Sequence, residues 1–309
     1  MRGEVKPMAS RRWYLPLVLL TTLLMGSTFA VGKLGFADAP PLILAGLRFV
    51  LAGGSMVIIL HVTHRPLPRG RVAWLKIALV GLLLTAGTTG PAFLSLRTIS
   101  AGESALLLFT NPLLVVILAR LFFGVRYRGR QWAGVVVGLG GVGITLASPI
   151  TLNAGAGIVL VGSACWAIST LLIARWRIAL DVWTLTAYQM LWGGVVLLFW
   201  GVLTEPLAVR LSGTLLVIVL WLAFMGSVVQ FTIWFFLLHE GDPGKTSAFL
   251  FLAPLFGALF GWLLLGQPVG AHVAGGGLLI LASIVLVQWP DRSTSDPGVS
   301  RAVGSETLR

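Results

Sequence analysis

Within its long apolar runs this sequence has few side chains that can ionise or react. The polar residues placed deepest in those runs are Ser27 and Thr28, Thr88 and Thr89, Asn111, Ser169 and Thr170, Tyr188 and Gln189, and Gln230, with three charges, Lys33, Arg48 and Glu103, nearer the edges. Hydroxyls and amides donate and accept hydrogen bonds without carrying charge, which suits holding a small solute rather than cutting or joining bonds. No nucleophile, histidine and acid can be assembled, because almost no carboxylate lies in the apolar stretches; no catalytic residue is expected. His61 and His64 have no cysteine or carboxylate near them, and His239 and His272 are single, so no metal site is expected. Gly138-Leu139-Gly140-Gly141-Val142-Gly143 has the glycine spacing of a dinucleotide-binding turn, yet no strand precedes it and no acid follows to hold a ribose. Close helix packing explains those glycines better, and no cofactor is expected. The lone Cys165 forms no internal disulfide and reads as a buried, inert thiol.

The elements that carry these residues follow from composition. Of 309 residues, 57% are hydrophobic and only 10% charged, with a mean hydropathy of +0.95. A soluble domain carries about 25% charged residues, so a soluble enzyme is excluded. No Asp, Glu, Lys or Arg occurs in 13–32, 77–96, 131–174, 182–204, 211–239 or 246–290. Crossing a hydrocarbon core takes about 20 apolar residues, so the two longest gaps must each fold back once. Pro149 to Asn153 with Gly155, and Gly266-Gln267-Pro268, supply the turns. Adding the less clean segments at 41–62 and 102–123, which carry Arg48, Glu103 and Arg120, gives ten expected spans, at 14–35, 41–62, 73–96, 102–123, 131–148, 156–176, 182–203, 213–237, 244–265 and 270–289. The first has a longer uncharged stretch than a signal peptide and no small-residue cleavage site, and it is kept as a span. Little chain remains for a soluble catalytic domain.

The basic residues orient the spans. With the N-terminus in the cytoplasm, 17 of the 22 Lys and Arg fall on that side, including Arg65, Arg69, Arg71, Lys76, Arg126, Arg128 and Arg130, so both termini are expected there. The formal net charge of +12 is spread among membrane edges instead of one face, which argues against a nucleic-acid partner. The partners expected are the lipid bilayer and a small-molecule solute. Trp13, Trp74, Trp132, Trp183 and Trp289 fall at span ends, as an interfacial aromatic belt requires.

The chain also repeats itself. Shifted by 142 residues, 93–139 matches 235–281 at 11 of 47 ungapped positions, among them Phe93/Phe235, Gly102/Gly244, Phe109/Phe251, Pro112/Pro254, Gly124/Gly266 and Gly134/Gly276. Each half has five spans, an odd number, so the second half enters the membrane inverted. Two similar halves related by a pseudo-two-fold axis can exchange conformations and expose one cavity to either side. The expected fold is thus an all-α integral membrane protein of ten transmembrane helices in two inverted five-helix repeats.

The stretches MGSTFAVGKLGFADAPPLILAGLRF (25–49) and FLSLRTISAGESALLLFTNPLLVVILARLFFGV (93–125), with CWAISTLLIARW and GKTSAFLFLAPLFGALFGWLLLGQ in the second half, resemble the EamA family of the drug/metabolite transporter superfamily. The resemblance covers residues 14–289 and resides in the doubled ten-span pattern. Met25, Val125 and Gln267 depart from it: that family often has Trp at the first position and usually Glu at the other two. It implies a first EamA-like repeat at 14–148 and a second, inverted one at 156–289, with cytoplasmic tails at 1–13 and 290–309. It further implies a bacterial inner-membrane exporter of amino acids or other small metabolites, with a cavity between the halves.

Pro112 and Pro254, near the centres of spans four and nine, each free a backbone carbonyl and are read as marking a midplane site. Asn111 can meet an amino-acid backbone or a neighbouring helix, and each serine or threonine can touch solute or merely back-bond within its helix. Trp166, Trp192 and Trp234 lie deep enough to wall an apolar cavity or to serve as packing. Arg48 and Glu103 are expected to meet at an external gate, while Lys33 pairs or snorkels to the surface. Glu103 is the one carboxylate placed within a span and so the one carrier for a coupled proton. These residues suit a carrier for a neutral or zwitterionic metabolite, with a drug or nucleoside-type carrier as the nearest alternative and a membrane-embedded enzyme or scaffold as the distant one. A monomer or weak homodimer is expected.

Overall fold

A computed structural model describes residues 13–65, 67–124, 128–146, 154–176, 181–240 and 252–288, and every element among them is helical. The expected tails at 1–13 and 290–309 fall outside the described residues except for Trp13, as do Val125 and 149–153 of the first turn signal. In chain order the helices are α1 (Tyr14–Leu34), α2 (Pro41–Val62), α3 (Arg71–Ser95), α4 (Ala101–Leu108), α5 (Asn111–Phe123), α6 (Gly129–Leu146), α7 (Ala154–Trp176), α8 (Val182–Thr204), α9 (213–240), α10 (Leu252–Leu265) and α11 (Ala271–Gln288).

Seven segments are long and apolar enough to cross a bilayer: Tyr14–Ala37, Pro41–Val62, Arg71–Ser95, Ala101–Phe122, Ala154–Ile173, Val182–Thr204 and Gly213–Trp234. They answer seven of the ten expected spans. The other three correspond to α6 and to two shorter apolar helices, 252–265 and 271–283, the first of which follows the undescribed residues 241–251. The outer surface is apolar, with Ile58, Val72, Leu121, Phe122, Val136, Phe199 and Leu216 all exposed, while Thr21, Ser27, Ser95, Ser104, Ser163 and Ser227 are buried. That is the arrangement of a protein dissolved in lipid, whose backbone polar groups are closed within helices.

The helices start and stop where local chemistry dictates. Pro41 opens α2, where a missing N–H costs nothing. Ser100 and Glu103 form a reciprocal capping box on α4, Asp181 caps α8, and Ser212 caps α9. Gly124 and Gly266, equivalent in the 142-residue repeat, both take positive φ, 64° and 61°, in the turns that close α5 and α10.

Helices of the two halves pack in exchangeable pairs. Helix α2 lies on α8, and α6 on α11; α1 packs on α10 as α7 packs on α4 and α5; α3 touches α7 and α8 as α9 touches α1 and α2. Small residues let these backbones close up. A Cβ on Gly53 of α2 would sit 2.5 Å from Leu191 N, and one on Gly141 of α6 would sit 2.8 Å from the Gly276 carbonyl oxygen. Gly138 is held as tightly, by Leu113 and Ser283, whereas Gly140 and Gly143 face open space, so the glycine string of α6 is half a packing face.

Candidate functional site

Helices α3 and α9 each contain a stretch of wide, π-helical turn, at Gly81–Ala86 and Trp221–Val229, which the 142-residue shift lays over one another. A π turn shifts the ladder by one residue and is frequent at functional sites. Here it brings two hydroxyls of the same register to the interior. Thr85 Oγ1 donates to Gln189 Oε1 of α8 (2.5 Å), and Ser227 Oγ, bonded to Leu222 O, accepts from Arg48 Nε of α2 (2.8 Å). Arg48 Nη2 also donates to the Gly226 carbonyl (2.6 Å), and its guanidinium lies 4.7 Å from the centre of the Phe49 ring. Each half thus sends one long polar side chain from its second helix to the wide turn of the other half.

These contacts border a cavity of about 420 Å³, in the range of sites for small organic ligands. Helices α3 and α9 line it with Leu84 and Gly226, Thr88 and Gln230, Thr89 and Phe231, and Ala92 and Trp234, four pairs each 142 residues apart. Met25, Thr28 and Phe29 enter from α1, Arg48 and Phe49 from α2, Leu108 and Phe109 from the region of the α4–α5 break, Trp166 and Ile173 from α7, and Val182, Leu185, Thr186 and Gln189 from α8. Phe109 and Trp166 meet edge to face at 5.4 Å. Among the described lining residues, Arg48 is the one charged group.

The cavity reaches the bundle end where α7 finishes and α8 begins, since Ile173 and Val182 line it. Toward the other end it stops at Phe93, whose ring fills the space beside Gly32 and meets Phe36 edge-on at 6.1 Å. Beyond that seal, Lys33 Nζ donates to Ile99 O (2.9 Å). Glu205 accepts from Leu42 N (2.9 Å), Ile43 N (3.2 Å) and Arg97 Nη2 (2.7 Å).

Of the residues singled out in the sequence, Thr28, Arg48, Thr88, Thr89, Trp166, Gln189, Gln230 and Trp234 come together on this cavity. Ser27 does not line it and back-bonds to Leu24 O, and Thr170 back-bonds to Trp166 O. Ser169 is fully buried without a partner among the described residues. Tyr188 turns to Trp74, edge-on at 4.8 Å, and Trp192 is 46% exposed on the apolar outer surface. Pro112 stands in the first turn of α5, after the break that separates it from α4, and Pro254 lies two residues into the described part of α10, but neither they nor Asn111 line the cavity.

The expected contact of Arg48 with Glu103 is replaced by others. Glu103 Oε2 accepts from Ser100 N (2.8 Å) and Oε1 lies 3.8 Å from His272 Nε2, while Arg48 is held by Ser227 and Gly226. A carboxylate in the first turn of a helix is claimed by its own cap, and Arg48 sits some two turns along α2, facing the wide turn of α9. Thr85, Thr186 and Glu205 are polar residues that sequence reasoning missed. Extending the 142-residue comparison upstream of Phe93 would have paired Thr85 with Ser227; nothing local marks Glu205, which reads as loop.

A helical bundle with an apolar outside, a polar-spotted interior and a cavity between two similarly built halves defines a membrane transporter fold. A model of the EamA-like transporter family matches residues 12–147 and again 153–289, and the chain belongs to that family. It is 32% identical over 269 residues to the uncharacterized inner membrane transporter YedA of Escherichia coli, covering 81% of this chain and 86% of that one. The uncharacterized transporter YoaV of Bacillus subtilis is 23% identical over 276 residues, 87% of this chain and 94% of its own, and protein PecM of Dickeya dadantii is 28% identical over 268 residues, 85% and 88%. A crystal structure of 20% identity has the same fold, with a TM-score of 0.63 over 90% of this chain and 96% of that one.

Proposed function

We propose that the chain is a carrier of the bacterial inner membrane that exports a small organic metabolite by alternating access, with ten spans in two inverted five-helix halves and both termini in the cytoplasm. The observation that carries this reading is the register of the lining: the four pairs on α3 and α9 stand one repeat apart, with a wide turn in each helix. The exchangeable packing of the halves and the family match support it, as does the inner-membrane name of a relative. With the orientation set by Lys and Arg, the cavity faces the cytoplasm and the Phe93 seal lies toward the outside. Glu103, off the cavity and engaged in its cap, is a poor proton carrier, so uniport or exchange fits better than proton antiport. The test is uptake into proteoliposomes of amino acids, nucleosides, cationic drugs and aryl carboxylates, with and without a pH gradient. Saturable flux of one class, abolished by Gln189→Leu, is expected; absence of flux for every class overturns the reading.

A further inference from the structure

Resting on the carrier reading, we infer that the solute is a monoanion: a carboxylate on an apolar, ring-bearing body, anchored by Arg48. A guanidinium has five N–H donors. Two of those of Arg48 are used, by Ser227 Oγ and the Gly226 carbonyl, and no described carboxylate pairs with it, although the residue is only 5% exposed. The remaining donors belong to a group on the cavity wall. A charge at such depth is costly while unneutralised, and a bidentate carboxylate is the partner that guanidinium geometry fits best.

The rest of the wall fixes the body of the solute. Phe29, Phe93, Phe109, Trp166, Phe231 and Trp234 supply rings, and Phe109 and Trp166 already stand edge to face. The counterpart in the other half, Gln189, which meets Thr85 as Arg48 meets Ser227, is a neutral amide. Among the described residues the cavity therefore has one positive anchor and no carboxylate for an ammonium. An amino acid would bring its ammonium close to the guanidinium with no counter-charge, so the des-amino acid is preferred. When it binds, its charge and that of Arg48 cancel, leaving no net charge among the described lining residues.

Equilibrium binding of 3-phenylpropionate, 3-phenylpropanamide and phenylalanine to the detergent-solubilised full chain separates the cases. The carboxylate is expected to bind at least tenfold tighter than the amide or the zwitterion. Arg48→Gln should bring the three within about twofold of one another. Arg48→Lys should keep the order with a smaller gap, and it stands in where Arg48→Gln fails to give monodisperse protein. Equal binding of all three to the native chain, no binding of the carboxylate, or an undiminished preference in Arg48→Gln overturns the inference. Flux is read separately: Arg48-dependent binding without flux in vesicles would leave the anchor standing and overturn only the carrier reading, whereas flux of solutes with no carboxylate preference would do the reverse.

Discussion

The two ends of the bundle are built from the same parts and held with different strength. At each, an acid caps the helix that follows Lys33 or Trp176 in its half, and an arginine from another loop answers the acid. At the sealed end Glu205 serves α2 with two backbone N–H bonds and takes Arg97 at 2.7 Å; its side chain is 3% exposed. At the open end Asp181 serves α8 through Thr184, and Arg65 stands 3.7 Å away with its side chain 52% exposed. A buried, multiply bonded carboxylate is hard to leave and a solvated one is easy, so burial rather than the list of residue types distinguishes a closed end from an open one.

Breaking the tight member should have the largest effect. Glu205→Ala leaves two N–H groups at the start of α2 without their acceptor and should cost about 3 kcal/mol, seen as a lower unfolding midpoint in detergent. It should also loosen the seal. In a Cys165→Ala background, Leu44→Cys, buried in the native chain, should gain reactivity toward an impermeant thiol reagent, and unchanged reactivity would show that the seal rests on Phe93 alone. An intermediate effect is expected at the wide turns, where the halves differ in charge. Ser227→Ala removes an acceptor from a cation and should cost about 2 kcal/mol of stability, against about 1 kcal/mol for Thr85→Val, which removes a donor from a neutral amide. Equal losses would mean that Gly226 alone holds Arg48. The smallest effect belongs to Asp181→Asn, which keeps the cap and drops an exposed ion pair: less than about 0.5 kcal/mol, within the scatter of thermal unfolding.

Much of this was legible in the amino-acid order because lipid imposes a severe code. Charge-free runs placed α1, α3, α7, α8 and α9 within a few residues of where they lie, and the Gly124/Gly266 repeat named both turns that close the shorter helices. Of the eight hydroxyl, amide or charged side chains on the described cavity wall, six followed from asking which polar groups sit deep in a span, and Thr85 and Thr186 did not. What failed did so for want of azimuth: Tyr188 and Gln189 are neighbours in sequence, yet a 100° step on the helix sends one to Trp74 and the other to Thr85. The same step separates Thr28, on the cavity, from Ser27 beside it. The wide turns were invisible because nothing in Gly81–Ala86 or Trp221–Val229 departs in residue type from ordinary helix, and they decide which hydroxyls face inward. Arg48 was found by its rarity and given the wrong neighbour, since a cation alone in an apolar run invites the nearest acid by default.

Gly226 holds its guanidinium hydrogen bond with a carbonyl oxygen, and a carbonyl oxygen is common to all twenty amino acids. Genetic drift at that codon can therefore never delete the acceptor; it can only crowd it, because the first carbon of any side chain would come 2.7 Å from the Thr28 methyl. Descendants of this chain can lose the hydroxyl of Ser227 by a single substitution, but the main-chain half of the arginine's seat always keeps its acceptor.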